Sequence, residues 1–408
     1  MSYILFCRLL SGFRIFDPIA KEFKTINKYP SEHHSFELMK GYKPTDEDLK
    51  RYAEDFKKWC DELKDPENFL TIDYSNYVSH SYAVRNTYKR LKKNKFKNVE
   101  DIKFSKIGKT EHHYFSMCNN GPLMYCQKYE GPSYGYDYKQ YYPTILAAKT
   151  FQVPTKKGKA MALDTEKIIS DGENLPYGFY FVGITSKNPN AKKIFSFSKK
   201  DLYTHYSVQF AWKYKDTFNF EFEFYDKDQN NCYVYDEADL VPGSLVFGNW
   251  KNKLTKLRKK YPKNKLLKHL LSSAWGQFTG YKAIYKTYSD IKKEGLDVGP
   301  TLKSEYVVLD HHKTPTEDYY KLYSAKDPYK MGEARIKSFM SSFARIRIAE
   351  TAIYGGIDDV IRIHTDNVTF KCNKDEKMKN RDIKPEDKTT GNLKWTRINE
   401  PPERLGET

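Results

Sequence analysis

The 408-residue chain is long enough for two to three compact units, and its 70 Lys and Arg against 53 Asp and Glu, a net charge of +17, favour nucleic acid over membrane as a partner. Its six cysteines lack metal or disulfide spacing, and its opening apolar run is too short to span a membrane, so we expect a soluble cytoplasmic protein. The 34 Tyr and 25 Phe residues suit a surface on which bases stack, although an A/T-rich genome would produce the same enrichment.

The first third of the chain contains two helical patterns. Residues from Thr45 to Lys64 predict an amphipathic helix with acidic residues in its first turn, where they suit the helix dipole. The run from Thr87 to Lys97 is strongly basic. It is either a solvated helix face or a nucleic-acid contact.

A strand pattern ends at an aspartate in the segment "GYDYKQYYPTIL". The strand-like run leads to Asp137, and a helix is expected to begin after Pro143. Between Pro154 and Val246, alternating aromatic runs broken by Asn, Asp and Gly predict several further strands.

Two helices flanking "YPKN" are predicted from Asn249 to Thr279. On one continuous helix, Lys268, Ser272 and Trp275 would share a face, while neighbouring Leu, Ala and Phe residues fill the others. That face can hold a triphosphate and stack its base. The alternative is a basic amphipathic helix with Trp275 in the core.

The last predicted elements are a long helix and a hairpin. The helix spans roughly Glu333 to Ile353. Its apolar stripe consists of Ile336, Phe339, Met340, Phe343 and Ile346. After it, "DVIRIHTDNVTF" predicts two short strands around a turn that presents Asp366. Aspartates in hairpin turns also serve purely local hydrogen bonding.

Asp137 and Asp366 together indicate a metal site. Two carboxylates at strand ends are what a pair of divalent cations needs, and Mg²⁺ takes oxygen ligands while keeping water and substrate phosphates. Two such ions can bind the attacking and leaving oxygens of an in-line phosphoryl transfer.

The segment starting at Asp137 resembles the first polymerase motif of the family B DNA polymerases, D-x-x-S-L-Y-P-S. The similarity is greatest to their protein-primed branch, found in phages, linear plasmids and related viral elements. The resemblance assigns Asp137 and the backbone carbonyl of Tyr138 to metal binding. Tyr138, Tyr141 and Tyr142 are implied to contact the nucleotide, with Tyr142 under the incoming sugar, where it excludes a 2′-hydroxyl.

The segment from Lys268 to Gly276 resembles the second motif, K-x-x-x-N-S-x-Y-G. The resemblance implies that Lys268 binds the nucleotide phosphates. Ser272 and Trp275 stand where the family has Asn and Tyr, and both residue types can still hydrogen-bond or stack.

The segment from Arg362 to Asn367 resembles the third motif, Y-x-D-T-D-S. Its second aspartate, the metal ligand, is Asp366, whereas His364 replaces the first. The replacement removes a negative charge beside the metals, so weaker Mg²⁺ affinity or a preference for Mn²⁺ is expected. The segment from Asp387 to Trp395 resembles the glycine-containing strand that follows this motif.

The resemblance implies an α+β fold: a right-hand palm made of an antiparallel sheet with helices, and a two-helix fingers hairpin. The implied regions are an N-terminal region without a complete exonuclease (1–120), a first palm part (121–152), a strand-rich insertion (153–246), fingers (247–280), a second palm part (281–399) and a tail without a thumb (400–408). The implied DNA contacts are Lys251, Arg258, Lys265, Thr365 and Lys388.

The activity implied is template-directed DNA synthesis from dNTPs with two Mg²⁺ or Mn²⁺ ions. The implied partners are primer-template DNA and dNTPs, together with a terminal priming protein or a separate chain that carries the thumb. The setting would be replication of a viral or plasmid-like element in the host cytoplasm. The main alternative is a polymerase-derived nucleic-acid-binding scaffold with impaired catalysis, or one subunit of a split polymerase.

Overall fold

The computed structural model describes residues 102–118, 120–225, 229–313 and 318–381, together with isolated helices and strands outside those ranges. The chain forms two compact units. The first contains Met1–Asp101 and Phe247–Gln277, and the second contains Ile102–Val246 and Phe278–Thr408. None of the described helices is both long and apolar enough to cross a membrane.

The helices and strands are numbered in chain order. The helices are α1 His80–Lys92, α2 Lys109–Met117, α3 Tyr141–Leu146, α4 Thr165–Ser170, α5 Ala191–Ile194, α6 His205–Lys213, α7 Lys215–Phe218, α8 Gly243–Lys260, α9 Lys265–Ser272, α10 Ala274–Phe278, α11 Tyr288–Glu294, α12 Ile336–Gly355 and α13 Asp375–Arg381. The strands are β1 Ile4–Leu9, β2 Gly12–Asp17, β3 Glu22–Ile26, β4 His34–Ser35, β5 Met124–Cys126, β6 Tyr134–Tyr138, β7 Gln152–Pro154, β8 Lys159–Met161, β9 Gly178–Ser186, β10 Leu202–Thr204, β11 Phe220–Phe224, β12 Cys232–Val234, β13 Leu240–Pro242, β14 Ile284–Thr287, β15 Val298–Gly299, β16 Tyr306–Lys313, β17 Asp318–Ser324, β18 Val360–His364, β19 Asn367–Phe370 and β20 Trp395–Ile398.

The first unit has a four-stranded sheet with the order β3-β2-β1-β4. In its helical part, Tyr88 of α1 stacks on Phe247 with ring centroids 5.6 Å apart. Asn264 caps α9 by accepting a hydrogen bond from the Leu267 backbone N–H (3.2 Å), and its amide donates to the Trp59 carbonyl (3.1 Å). The chain between α8 and α9 is thereby fixed against the segment around Trp59.

Two N-terminal helix predictions fall partly on described residues. In the predicted 45–64 helix, the described positions from Glu47 to Glu62 are helical, with Trp59 buried and Glu47 exposed, as an amphipathic helix requires. The basic run starting at Thr87 lies in α1 until that helix ends at Lys92. The remainder of the run lies outside the described residues.

The centre of the second unit is a five-stranded sheet with the order β20-β6-β19-β18-β5, and every neighbouring pair is antiparallel. Helix α12 packs against β19 of this sheet. At the end of α12, a Cβ on Gly355 would lie 2.3 Å from the Phe370 ring, so only glycine permits this close contact. The strands expected around Asp137 and in the hairpin at Asp366 therefore belong to one sheet.

The region between α3 and α8 forms a second sheet, with the order β10-β9-β12-β8 and β11 paired to β9. The aromatic runs therefore do form strands, although four short helices, α4 to α7, interrupt them. Phe179 of β9 packs on Phe339 of α12 with ring centroids 4.7 Å apart. Helix α12 is thus covered by this region as well as by the central sheet.

Helix α12 begins at Ile336, after a 3₁₀ turn at Gly332–Arg335, rather than at the predicted Glu333. Its buried residues extend beyond the predicted stripe to Ser342, Arg345 and Ile348, and the stripe members Phe343 and Ile346 are only half-buried. The reason is that packing on more than one side leaves no single buried face.

A buried ion pair joins several segments of the second unit. Arg335 and Glu111 have side chains 0% and 1% exposed, and Arg335 donates to both carboxylate oxygens of Glu111 at 2.9 and 3.2 Å. Arg335 also donates to the carbonyls of Thr155 (2.7 Å) and Ser105 (3.1 Å), and the Tyr235 hydroxyl donates to Glu111 (2.9 Å). Burial raises the pKa of Glu111, and the Arg335 guanidinium opposes that shift.

Candidate active site

The predicted hairpin is confirmed, with β18 and β19 paired up to His364 opposite Asn367. Thr365 and Asp366 form its turn, and Thr365 has a φ of 63°. The Thr365 backbone N–H donates to the Leu123 carbonyl at 3.2 Å. A tight two-residue hairpin turn requires a residue with left-handed backbone geometry, and Thr365 supplies it. The hydrogen bond to the Leu123 carbonyl fixes the position of the turn.

The central sheet places Asp137 and Asp366 next to each other. Asp137 of β6 is the direct cross-strand partner of Asn367, the residue after Asp366. The Tyr138 backbone N–H donates to the Asp366 carbonyl at 2.9 Å, which extends the pairing into the turn. Both carboxylates are half-buried. Two residues separated by more than half of the chain thus lie next to each other at the same end of two neighbouring interior strands.

Asp366 lies in surroundings that disfavour its charged form. Burial raises the pKa of the Asp366 carboxyl, while a hydrogen bond from its own backbone N–H and the charge of His364 act in the opposite direction. The His364 side chain is exposed, on the strand paired with β19 and β5. The positions of the third motif therefore hold one carboxylate and one imidazole.

Helix α3 begins at Tyr141, not after Pro143 as expected. Pro143 is its third residue, and this position needs no intrahelical N–H donor, so proline is tolerated there. The first helical bond runs from the Thr144 N–H to the Gln140 carbonyl (2.9 Å). Gln140 itself has a φ of 52°. The sharp change of direction between β6 and α3 occurs at that residue.

Tyr138 and Tyr141 are core residues. Both are at most 3% exposed, and their rings stack with centroids 5.1 Å apart and an interplanar angle of 12°. The Tyr141 hydroxyl donates to the Ala344 carbonyl (2.5 Å), and the Tyr138 hydroxyl is 2.7 Å from Thr351 Oγ1. Their side chains fix β6 and α3 against α12, which places them beneath the candidate site.

Tyr142 has a different environment from its neighbour. It is half-buried, and its ring meets Tyr141 edge-on at 5.5 Å. Burial and then the charge of Asp366 raise the pKa of Tyr142 to about 12, and Arg345 opposes the shift. Tyr142 therefore stays a neutral phenol within electrostatic range of Asp366.

Arg345 of α12 holds the chain segment that precedes β5, next to the candidate site. It is 7% exposed, donates to the carbonyls of Asn120 and Gly121 at 2.8 Å each, and donates to Ser342 Oγ at 2.7 Å. Burial lowers the pKa of Arg345. The segment that it holds leads directly to Leu123, whose carbonyl receives the Thr365 N–H.

Asn367 is a site residue that the sequence did not single out. It is 6% exposed, its Oδ1 accepts a hydrogen bond from Thr369 Oγ1 (3.0 Å), and its Nδ2 has no partner among the described residues. Cross-strand partners point to the same face of a sheet, so this amide faces the same side as Asp137. The sequence signal that could have identified Asn367 is a polar residue directly after the candidate ligand Asp366, at the start of an apolar strand.

The predicted residues of the second motif lie in the first unit. Lys268 and Ser272 are exposed on α9 and Trp275 is half-buried on α10, while Leu266, Leu267, Leu270 and Leu271 are buried as expected. The single continuous helix predicted through all three is wrong, because α9 ends at Ser272 and α10 begins at Ala274.

The helix break has a local cause. The Ser272 hydroxyl donates to the Lys268 carbonyl at 2.9 Å, and serine hydroxyls that bond in this way compete with helical backbone bonds. Trp275 and Ser272 therefore do not lie one turn apart on the same face of a regular helix.

The predicted DNA-contact residues have varied surroundings. Lys265 is exposed, with its ammonium 5.9 Å from the Trp59 ring centroid, and Arg258 and Thr365 are half-buried. Lys251 is also half-buried, and desolvation lowers the pKa of Lys251. Lys388 lies outside the described residues.

The oxygen donors available to a hard cation are those of Asp137 and Asp366 and the backbone near Tyr138. Within the described part of the chain, no group of three or more His, Cys, Asp and Glu residues is arranged to hold a metal ion. A two-carboxylate set fits Mg²⁺, which commonly keeps several waters and substrate phosphates as its remaining ligands.

No protein-family model and no curated protein matches this sequence. Phi29 DNA polymerase in ternary complex with primer-template DNA and incoming nucleotide substrates matches in structure at 12% identity and a TM-score of 0.50, over 87% of this chain and 58% of that chain. Its binary complex with primer-template DNA matches at 13% identity and a TM-score of 0.52, over 89% of this chain and 59% of that one. The chain thus spans about three fifths of that polymerase and shares its fold.

Proposed function

We propose that this chain is a DNA-directed DNA polymerase, which transfers nucleotides from dNTPs to a primer end. The observation that carries the proposal is the pairing of Asp137 with Asn367 and the 2.9 Å bond from the Tyr138 N–H to the Asp366 carbonyl. Two carboxylates at the same end of neighbouring strands are the arrangement that two-metal phosphoryl transfer uses. The fold shared with a DNA polymerase supports this choice of reaction.

In the proposed mechanism, Asp137 and Asp366 would hold two Mg²⁺ ions, and the Tyr138 carbonyl would be a further ligand. When bound, the ions would stabilise negative charge on the attacking and leaving oxygens. The primer 3′-oxygen forms a bond to the α-phosphorus of the dNTP, the bond to the β-phosphate oxygen breaks, and pyrophosphate leaves. The 3′-hydroxyl proton is released to solvent.

The protein's own side chains supply orientation and selection. Tyr142 is half-buried and stays neutral, so its ring can lie against the deoxyribose and exclude a 2′-hydroxyl. Tyr138 and Tyr141 hold the floor of the site through their buried stacking. Lys268 is exposed and is assigned to the nucleotide phosphates, with Ser272 and Trp275 close by in sequence.

The palm of the proposed enzyme is the five-stranded sheet with α12, and its fingers are α8, α9 and α10. Primer-template DNA is the proposed partner, because the two structures that share the fold are complexes with it. We further assign Lys251, Arg258, Lys265, Thr365 and Lys388 to DNA contacts. A terminal priming protein is a further proposed partner, in replication of a viral or plasmid-like element in the host cytoplasm.

A second candidate is a catalytically impaired, polymerase-derived nucleic-acid-binding scaffold, or one subunit of a split polymerase. The observation in its favour is His364, an exposed imidazole where the resemblance predicts a carboxylate.

Primer extension separates the two candidates. The purified chain is incubated with a primed DNA template, each dNTP, and either Mg²⁺ or Mn²⁺, and products are resolved by length. Template-directed addition is the expected result. DNA binding without addition in either metal would contradict the enzyme and favour the scaffold.

A further inference from the structure

The four-stranded sheet of β14, β17, β16 and β15 exposes an unusual number of aromatic side chains. Among residues whose burial is described, eight large apolar or aromatic side chains are exposed. Four of the eight belong to this sheet or its adjoining helix, namely Ile284, Tyr285, Tyr288 and Tyr319. Tyr285 is the most exposed of all, at 66%. A concentration of this kind marks an interaction surface.

Two of these rings share one face of the sheet. Tyr285 of β14 is the cross-strand partner of Lys321 on β17, and Thr287 is the partner of Tyr319. Direct partners point to the same face, as do alternate residues along a strand, so Tyr285, Lys321 and Tyr319 lie together. Tyr285 and Tyr319 are diagonal neighbours, a relation that places residues roughly 7–8 Å apart.

A cation lies beside the Tyr285 ring. The Lys321 ammonium is 5.8 Å from the centroid of the Tyr285 ring. Its other cross-strand neighbour is Asp310. At the adjacent helix α11, the ammonium of the exposed Lys292 is 4.6 Å from the Tyr288 ring. A lysine ammonium therefore lies beside each of these two exposed rings.

The rest of the sheet is anchored, so the exposed face is a fixed platform. Tyr323, on the same face but nearer the other end of β17, stacks on Tyr281 with ring centroids 4.4 Å apart. Leu322 on the opposite face is 0% exposed, and α11 packs against β14 and β17. The part of the face that carries Tyr285 and Tyr319 is thus held in place by the packing of Tyr323 and by the buried opposite face of the sheet.

We infer that Tyr285, Tyr319 and Lys321 form a platform that binds single-stranded DNA by stacking its bases on the two rings. Every base has a π-face, so aromatic platforms beside lysines suit single strands without a sequence preference. The lysine ammonium groups beside these rings can bind the phosphate backbone of the strand. The choice of DNA over RNA rests on the proposed polymerase function, because this platform lies in the same compact unit as Asp137 and Asp366.

The test measures binding without catalysis. A fluorescein-labelled oligothymidylate of about 16 nucleotides is titrated with the full chain in EDTA without dNTPs, and anisotropy gives the Kd. The double variant Tyr285→Ala/Tyr319→Ala should bind roughly tenfold or more weakly. The Tyr285→Phe/Tyr319→Phe variant should bind as tightly as the native chain, because the rings remain.

The control is Tyr225→Ala, which removes another exposed tyrosine (46%), the residue directly after β11. Affinity should not change in this variant.

The Lys321→Gln variant should reduce the slope of log Kd against log salt by about 0.7, the value for one phosphate contact on a single strand. Asp366→Asn should leave oligonucleotide binding intact, so this test is independent of the polymerase proposal.

Several results would overturn the inference. One is an unchanged Kd in the double alanine variant, and another is an equal loss in Tyr225→Ala. If the double alanine variant loses as much affinity for duplex DNA as for the oligothymidylate, base stacking is excluded as the mode of recognition. Tighter binding of oligouridylate would exclude DNA as the ligand.

Discussion

Tyr141 and Tyr142 are adjacent in the sequence, yet the structure gives them different environments. The Tyr141 ring is 1% exposed and bonded to the Ala344 carbonyl, whereas Tyr142 is half-buried and senses the charge of Asp366. The resemblance assigned both to the nucleotide. The environments favour direct sugar contact for Tyr142 and a supporting position for Tyr141.

Tyr142→Ala is therefore expected to weaken discrimination between dNTPs and ribonucleotides by about tenfold or more, because the ring that excludes the 2′-hydroxyl is removed. Competing incorporation of the two substrates at one template position measures the ratio. Tyr141→Phe is the matched control, and it should lose about 1 kcal/mol of stability without changing the ratio. A ratio that is unaffected by Tyr142→Ala would contradict the assignment.

His364→Asp is expected to lower the Mg²⁺ concentration that gives half-maximal extension by about tenfold, because it restores a carboxylate near the metal ligands. The native chain should in turn work better with Mn²⁺ than with Mg²⁺. Metal titrations of the extension rate measure both effects. His113→Asp, at another exposed histidine, serves as the control. An identical Mg²⁺ requirement in His364→Asp would show that position 364 does not influence the metals.

Among the helices and strands, those with local signals were predictable. The 360–370 hairpin follows from alternation around a turn, and the buried leucines of α9 follow from helical periodicity. The break at Ser273 was missed because it depends on a side-chain bond from Ser272 to the Lys268 carbonyl. The start of α3 was missed because the helix was expected to begin only after Pro143, whereas the first turn of a helix accepts proline.

Contacts between distant segments were less predictable than the elements. The resemblance suggested that Asp137 and Asp366 meet, but alternation alone does not specify which strands pair. The pairing of β20 with β6, which places Thr396 opposite Asp137, also required the structure. Arginine is rarely fully buried, so the sequence alone does not indicate that Arg335 lies in the core. It is fully buried because Glu111 and two backbone carbonyls accept its hydrogen bonds.

Arg335→Leu is expected to destabilise the protein by about 3–5 kcal/mol, because Glu111 is left buried without its counter-charge. Urea unfolding followed by circular dichroism measures the loss. The double variant Glu111→Leu/Arg335→Leu should recover part of it, since no unpaired charge remains. Lys167→Ala, which removes the exposed pair with Asp171, should have little effect. A small loss in Arg335→Leu would contradict the buried-pair account.

Across the whole molecule, two buried histidines link stability to pH. His112 lies between the hydroxyls of Tyr323 (3.0 Å) and Tyr329 (2.8 Å), and burial lowers the pKa of His112 to about 4. Burial likewise lowers the pKa of His205 to about 3. Both imidazoles are thus held neutral in the folded chain at pH values where an unfolded chain would protonate them.

The stability of the protein should therefore fall as the pH drops below about 6.5, because the unfolded state binds protons that the folded state does not. His112 alone accounts for about 3 kcal/mol by pH 4. Urea midpoints between pH 7 and 4.5 measure the slope, which His112→Gln should reduce. Equal midpoints at pH 7 and pH 5 would contradict the assignment of neutral buried histidines.

The central claim is that Asp137 and Asp366 jointly perform nucleotidyl transfer. Single-turnover extension of a primed template is measured for the native chain and for Asp137→Asn, Asp366→Asn and the exposed control Asp216→Asn. Binding of primer-template DNA is measured in parallel. The account predicts that both site variants lose extension by about a hundredfold or more while binding DNA normally, and that the control retains full rate. Native-like extension by either site variant would contradict it.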